Sequence, residues 1–198
     1  DKIFYQITSK VKRTYKNIDQ VPATGKVEIN RGHLSWNKDS LTIEVNDRVV
    51  LKLQSTSIQN LFFNSAWWEL LVAQEVARWP KAKELFIQCE LPFKGDTEHK
   101  KNEIDILINL GRQLIFIECK SGNIVQDDIN KMKIVKDTYG GIISKSILVS
   151  RFIPNSNILE KCRELNIDVF YCFMGKTQVN SLDRLIQTLE KVEKKLMI

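Results

Sequence analysis

The sequence has few of the residues that would indicate a disulfide-stabilised, zinc-binding or membrane-spanning protein. Its four cysteines show no CxxC spacing and its two histidines are isolated, which argues against a zinc site and, in a cytoplasmic protein, against disulfides. No apolar run approaches the roughly 20 residues that a membrane helix needs, and no signal-peptide pattern opens the chain. We therefore expect a cytoplasmic protein with no membrane partner.

What the chain does contain is typical of a globular protein. Its 198 residues are 43% hydrophobic and 27% charged, which is enough for one ordinary domain with an appendage. The formal net charge is +6 and the sequence pI about 9.1. A basic balance is compatible with nucleic acid, although alone it is weak support.

The pattern along the chain predicts two parts. Residues 41–53 alternate around Asn46-Asp47 and indicate a β-hairpin, while residues 1–30 give no clear assignment. We predict an N-terminal appendage containing this hairpin over 1–60 and a second domain over 61–198. The second part is predicted to run helix, three strands, helix, strand, helix, strand, helix. That order predicts an α/β fold with a mixed sheet flanked by helices.

Predicted element bounds follow from periodicity and from Gly, Pro and capping signals. The expected helices span 65–79 with Ser65 as N-cap, 124–139, 155–166 and 181–196; the strands span 84–93, 142–150 and 167–173, beside a hairpin over 103–120 that a polar loop over 94–102 precedes.

The stretch EIDILINLGRQLIFIECK (103–120) places charged groups inside strands that otherwise suit a buried sheet. With Gly111-Arg112 at the centre of a type II′ turn, Asp105 lies opposite Glu118 on one face. Lys120 then projects from the same face, and Cys119 points the other way. Two carboxylates at cross-strand distance repel each other, and a divalent cation removes the conflict.

An isolated Glu-x-Lys in a strand is often only an exposed ion pair, and Glu103 could pair with Lys120 across the strands. The flanking residues 114–117, LIFI, indicate a central strand instead, and a second acid is aligned with Glu118. Both features favour a metal-dependent phosphodiesterase site over a surface salt bridge. The backbone carbonyl of Cys119 is a further candidate ligand.

These residues resemble the PD-(D/E)xK nuclease superfamily, which has the restriction-endonuclease-like fold: Ile104-Asp105 is followed by Glu118-Cys119-Lys120, with Ile in place of the motif's Pro. The resemblance implies Mg²⁺- or Mn²⁺-dependent cleavage of nucleic acid, with Asp105 and Glu118 as metal ligands and Lys120 as a catalytic residue. It also implies an acid on the first core helix, where Glu69 fits, and a polar active-site residue on the helix after the motif, where Gln126 fits.

Within the superfamily, the sequence is similar to CRISPR-accessory nucleases that join a CARF sensor domain to a C-terminal nuclease domain. The shared features are NEIDILINLGRQLIFIECKSG, Trp67-Trp68-Glu69 and YGGIISKSILVS. This similarity implies a defence nuclease gated by a second messenger. Because 198 residues leave no room for a CARF domain beside the nuclease, either the chain is a C-terminal part or it belongs to another subgroup.

Several residues have both a functional and an ordinary interpretation. Glu69 could contact a metal or simply face solvent, and Gln126 could reflect helix-start polarity. The candidate phosphate contacts are Lys94, Lys100, Lys101 and Lys133, each of which could equally be a solvated surface charge.

Three other functions remain open: a non-catalytic nucleic-acid-binding module with a vestigial nuclease fold, a metal-dependent hydrolase of small phosphorylated substrates, and a purely structural hairpin. As partner we expect nucleic acid, DNA in preference to RNA, and we leave a homodimer open.

Overall fold

The structure, a computed structural model, describes residues 2–29, 32–56, 58–93 and 96–195; within them, the side chains of residues 2–4 and 93–101 are outside the description. The chain divides into two compact units, Asp1–Trp68 and Glu69–Ile198. The domain bounds predicted from the sequence, 1–60 and 61–198, stay a prediction. None of the helices in the described ranges is long and apolar enough to cross a membrane.

The first unit is a four-stranded antiparallel sheet with two helices. Its elements are α1 (Lys2–Thr14), β1 (Gly25–Ile29), β2 (Gly32–Trp36), β3 (Ser40–Val45), β4 (Arg48–Gln54) and α2 (Ile58–Phe63), with the strands in the order β1-β2-β3-β4. The β3–β4 hairpin is the one predicted, and Asn46 and Asp47 have φ of 51° and 59°. Positive φ at both central residues is what a type I′ turn requires.

Helix α1 contributes to the core of this unit. Ile7 and Val11 lie one helical turn apart and are fully buried, together with Leu34, Leu41 and Phe62. This i, i+4 spacing places both side chains on one face of α1.

The second unit is built on a six-stranded mixed sheet. Its elements are the part of α3 (Ala66–Val76) from Glu69 onward, β5 (Glu84–Phe93), β6 (Asp96–Asn109), β7 (Leu114–Lys120), α4 (Gln126–Val135), β8 (Lys145–Phe152), α5 (Ser156–Glu164), β9 (Ile167–Met174), β10 (Thr177–Gln178) and α6 (Leu185–Lys194). The strand order is β10-β9-β8-β7-β6-β5. Strands β5, β6 and β7 are antiparallel, and β7, β8 and β9 are parallel. The predicted α/β fold with a mixed sheet is therefore confirmed.

The central strands β7 and β8 are buried along almost their whole length. On one face, Phe116 packs with Val135 of α4, and Leu148 packs with Ile129 of α4 and Ile158 of α5. The alternating residues of β7 and β8 point to the other face and are buried too. Burial on both faces explains the uninterrupted apolar segments LIFI (114–117) of β7 and ILV (147–149) of β8.

Two local predictions were wrong, and one predicted helix is divided. The polar loop predicted over 94–102 is strand from Asp96 onward, because the backbone ladder with β5 needs no apolar side chains. Ser65 does not cap α3: it has φ of 68°, and its buried Oγ has no hydrogen-bond partner. The helix predicted over 124–139 is α4 followed by a π-helical turn over Lys136–Gly140.

Candidate active site

The β6–β7 hairpin has the predicted register from its turn to Ile106–Ile117, and the ladder ends before the predicted Asp105–Glu118 pair. Asn109 pairs with Leu114, Leu107 with Phe116, and Ile106 with Ile117. At the turn, the Leu110 N–H donates to the Gln113 carbonyl over 3.0 Å, and Gly111 has φ of 92°. A positive φ at the first central residue is the requirement of a type II′ turn.

Asp105 lies where the sheet is interrupted on both sides. The β6–β7 ladder ends at Ile106 and Ile117, and the β5–β6 ladder passes from Ile87–Ile106 to Cys89–Ile104 without a Gln88–Asp105 pair. Gln88 has φ of 52°, a conformation that non-glycine residues rarely adopt. Because neither neighbouring strand pairs with the backbone at Asp105, this point of the sheet is open to other groups.

The Asp105 carboxylate is directed toward β7. Its Oδ2 accepts the backbone N–H of Cys119 over 2.6 Å. Burial, and then the charges of Glu118 and Glu69, raise the pKa of Asp105 to about 8, although this hydrogen bond opposes the shift. The three carboxylates are therefore close enough to repel one another, which places Asp105 and Glu118 in one site.

The ammonium group of Lys120 lies between two acids. Its Nζ is 3.0 Å from Glu118 Oε1 and 3.0 Å from Asp128 Oδ1. Burial opposes the positive charge of Lys120, but Glu118 and Asp128 outweigh it and raise the pKa of this group. Glu118 is only 8% exposed, a degree of burial that a carboxylate tolerates when it is paired. The predicted alternative, a Glu103–Lys120 ion pair, is not formed.

Glu69 on α3 borders the same site. Its Oε2 accepts a hydrogen bond from Gln88 Nε2 over 3.3 Å. Burial raises the pKa of Glu69. The hydrogen bond from Gln88 lowers this pKa, while the charges of Glu103 and Glu118 raise it further. The unusual backbone of Gln88 thus coincides with a contact that orients the third acid.

The donors at this site match the chemistry of Mg²⁺ or Mn²⁺. Carboxylate oxygens of Asp105, Glu118 and Glu69 are the ligands such hard cations prefer, and their mutual repulsion is what a cation would relieve. The N–H of Cys119 points to the β6 side, so its carbonyl points there too. In the described part of the chain, however, no three His, Cys, Asp or Glu side chains are gathered tightly enough to hold a metal ion.

The Cys119 thiol belongs to the core. It is buried, and burial followed by the charge of Asp105 raises its pKa well above the usual value. A thiol of this kind is unreactive. Its side chain therefore takes no part in the chemistry we consider for this site.

The remaining predicted site residues are Gln126 and four lysines. Gln126 is exposed at the first position of α4. Lys133 pairs with Asp137, one turn along the chain, over 2.9 Å. Lys94 lies outside the described residues, as do the side chains of Lys100 and Lys101. The roles proposed for these five residues stay predictions.

Sequence reasoning missed Asp128 and Gln88. Asp128 is eight positions after Lys120, and only the packing of α4 beside β7 brings the two together. An acid in the first turn of a helix is favoured by the helix dipole, so the position of Asp128 in the sequence did not indicate a role at the site. Gln88 lies inside an apolar strand pattern with no Gly or Pro to mark an unusual backbone.

With this geometry established, comparison with known proteins identifies the class. Residues 57–191 match the family described as "Card1-like, endonuclease domain". Comparison with curated proteins finds no match. Among solved structures, protein VC1899 from Vibrio cholerae is 19% identical with a TM-score of 0.54, over 74% of this chain and 37% of that one.

Can2 from Sulfobacillus thermosulfidooxidans, solved in complex with cyclic tetra-adenylate, is 23% identical with a TM-score of 0.53. The match covers 72% of this chain and 41% of Can2. The chain thus spans less than half the length of either protein, and these similarities concern the fold.

Fold and family together define a nuclease domain of the restriction-endonuclease-like class. More particularly, the chain belongs to the Card1-like endonuclease domain family. The resemblance to the nuclease superfamily that the Asp105…Glu118-x-Lys120 pattern indicates is confirmed.

Proposed function

We propose that this protein is a divalent-metal-dependent endonuclease that hydrolyses phosphodiester bonds in DNA. The observation that carries the proposal is the convergence of Asp105 and Glu118, from neighbouring strands, at the point where the β6–β7 ladder ends. Membership of an endonuclease-domain family supports a catalytic role for these two carboxylates.

In this proposal, Asp105, Glu118 and the Cys119 carbonyl hold Mg²⁺ or Mn²⁺, and Glu69 supports the same ion directly or through water. A bound divalent cation would lower the pKa of a coordinated water and neutralise charge on the phosphate. Lys120 directs its ammonium group to the attacking water or to the scissile phosphate, where it offsets developing negative charge. Gln88 keeps Glu69 turned toward the site.

The substrate strand is held through its phosphates. The net charge of +6 favours a polyanion, and Lys94, Lys100, Lys101 and Lys133 are the candidate contacts. Such contacts bind without reading sequence. We propose DNA as the substrate in preference to RNA, and comparison of the two in one assay tests this choice.

A defence role gated by a second messenger is supported by the resemblance to CARF-linked nucleases and by the similar fold of Can2, whose structure holds cyclic tetra-adenylate. Cleavage assays with and without this ligand test the gating. Stimulation by the ligand supports a sensor acting on the nuclease; equal cleavage contradicts gating of this chain.

The direct experiment incubates the protein with plasmid, single-stranded DNA and RNA in Mg²⁺, Mn²⁺ or EDTA. We expect cleavage with either cation and none in EDTA. Lys120→Met should abolish it, because the ammonium group is lost from the site.

Lys145→Met is the matched control. Lys145 is the first residue of β8, which is parallel to β7, and it lies beside Ile115 at the end of the strands opposite to Lys120. Cleavage that survives in Lys120→Met, or in EDTA, contradicts the proposal. Metal-independent binding without cleavage by the wild-type protein would support the non-catalytic alternative.

A further inference from the structure

The candidate catalytic lysine has a second carboxylate partner that the Glu-x-Lys pattern does not contain. Asp128 Oδ1 lies 3.0 Å from Lys120 Nζ, the same distance as Glu118 Oε1. The two acids reach the ammonium group from different elements, since Glu118 is on β7 and Asp128 on α4.

Asp128 is itself held in place. Its Oδ2 accepts the backbone N–H of Val125, the residue before α4, over 2.9 Å. The carboxylate therefore ties the start of α4 with one oxygen and Lys120 with the other. About a fifth of the Asp128 side chain is exposed (22%), so the pair is partly shielded from water and stronger than a typical surface ion pair.

The two carboxylate partners of Lys120 differ in whether they also bind the proposed metal ion. In the proposed function Glu118 also serves as a metal ligand, and a carboxylate that coordinates a cation attracts a neighbouring ammonium group less. Asp128 has no such competing role among the metal ligands we propose. It is therefore the partner that can keep Lys120 at the reacting phosphate while the metal is bound.

We propose that Asp128 is a positioning residue that holds the Lys120 ammonium group in the active site. This inference rests on the proposed nuclease function and adds to it a residue outside the Glu-x-Lys motif. Asp128 acts through Lys120 and does not itself touch the substrate.

Asp128→Asn tests the inference with little change in shape, because an amide oxygen can still accept the Val125 N–H while the charge facing Lys120 is lost. Asp127→Asn is the matched control: Asp127 is the exposed neighbour in the same helical turn, and it removes the same charge from the helix N-terminus. We expect both variants to remain folded at the assay temperature, which a melting curve for each checks.

In steady-state cleavage, Asp128→Asn should lower kcat by about tenfold or more while KM changes by less than about threefold. Asp127→Asn should match the wild type within about twofold. Asp128→Glu, which keeps the charge, should recover part of the lost kcat. An equal loss in Asp127→Asn and Asp128→Asn would overturn the inference, since it would mark a general effect of the helix start.

A second readout does not depend on cleavage. Lys120 can be labelled with an amine-reactive reagent and quantified by peptide mass spectrometry. Release from Asp128 should make Lys120 label several-fold faster in Asp128→Asn and at the wild-type rate in Asp127→Asn.

Unchanged labelling of Lys120 in Asp128→Asn overturns the anchoring role, whatever the activity. If the wild type fails to cleave any substrate, the nuclease proposal fails separately, and the labelling comparison still decides whether Asp128 holds Lys120.

Discussion

The two ends of the β6–β7 hairpin have the same strands but opposite character. At the turn end, Ile108 and Ile115 pair regularly and are fully buried around a glycine turn. At the other end, the ladder stops and charged groups meet: Asp105, Glu118 and Lys120. The turn end fixes the register of the paired residues, and Asp105 and Glu118 follow directly after the last pair.

The well-paired end of the hairpin keeps carboxylates that repel one another close together at the other end. A slip of one residue would move Glu118 to the opposite face of the sheet, so the stability of the turn end is what enforces the proximity of the acids. At the open end, the repulsion between Asp105, Glu118 and Glu69 raises the pKa of Asp105.

The largest expected effect is at the open end. Glu118→Gln should lower cleavage by about 100-fold or more, because it removes a charge that the proposed metal and Lys120 both need. Far-UV circular dichroism should be unchanged, since the amide has the same shape. Glu160→Gln, an exposed position on α5, is the control. Wild-type turnover in Glu118→Gln would contradict the proposal that the open end of the hairpin is the active site.

Next in size is the pH dependence of stability. The pKa of Asp105 is about 8 in the folded protein, above its ordinary value of 3.8, so the fold favours the protonated carboxyl. Metal-free protein should therefore lose stability as pH rises from about 4 to about 8 and then level off.

Asp105→Asn should remove most of this slope and be more stable than the wild type near pH 8. A smaller slope should remain, because the pKa of Glu69 is raised too. Urea unfolding in EDTA at several pH values measures both proteins. Parallel wild-type and variant curves would contradict the crowding of carboxylates at this end.

A smaller effect is expected at the turn end. Gly111→Ala places a side chain at φ of 92° and its Cβ 2.7 Å from the flexible end of Lys83, which should lower the free energy of unfolding by roughly 1–2 kcal/mol. Activity per folded molecule should not change.

Gly122→Ala is the matched control, because a Cβ there meets nothing within 4 Å. Chemical unfolding and cleavage are measured together. Loss of activity in fully folded Gly111→Ala would show that the two ends are not separable.

The smallest effect concerns a predicted phosphate contact. Lys133→Ala should weaken DNA binding modestly and reduce the slope of log K against log salt by about 0.9, the value for one lost phosphate contact. Lys161→Ala is the control, since Lys161 is a similarly ion-paired helical lysine on α5. Fluorescence anisotropy over a salt series measures both. An unchanged slope would leave Lys133 as a surface charge paired with Asp137.

The sequence was most informative where a local rule controls the structure. Alternation and a glycine turn were enough to predict the Leu107–Phe116 register, and the same reasoning predicted the hairpin around Asn46-Asp47. Both depend on neighbouring residues, which a single sequence displays directly.

The rest depends on contacts between distant segments. Asp128 reaches Lys120 only because α4 packs beside β7, and no spacing rule links residues of a strand and a later helix. The interruption of the sheet at Gln88 and Asp105 likewise coincides with contacts to distant segments, from Gln88 to Glu69 and from the Cys119 N–H to Asp105. The segment from Asp96 was wrongly predicted as loop because its strand is defined by backbone pairing with β5.

Calorimetric titration of Mn²⁺ into wild-type protein and Asp105→Asn tests the central claim most directly. If Asp105 and Glu118 form a cation site, the wild type should bind at about pH 8, more weakly at about pH 6 where Asp105 holds its proton, and Asp105→Asn should bind little at either pH. No binding by the wild type, or equal binding by both proteins, would contradict the account.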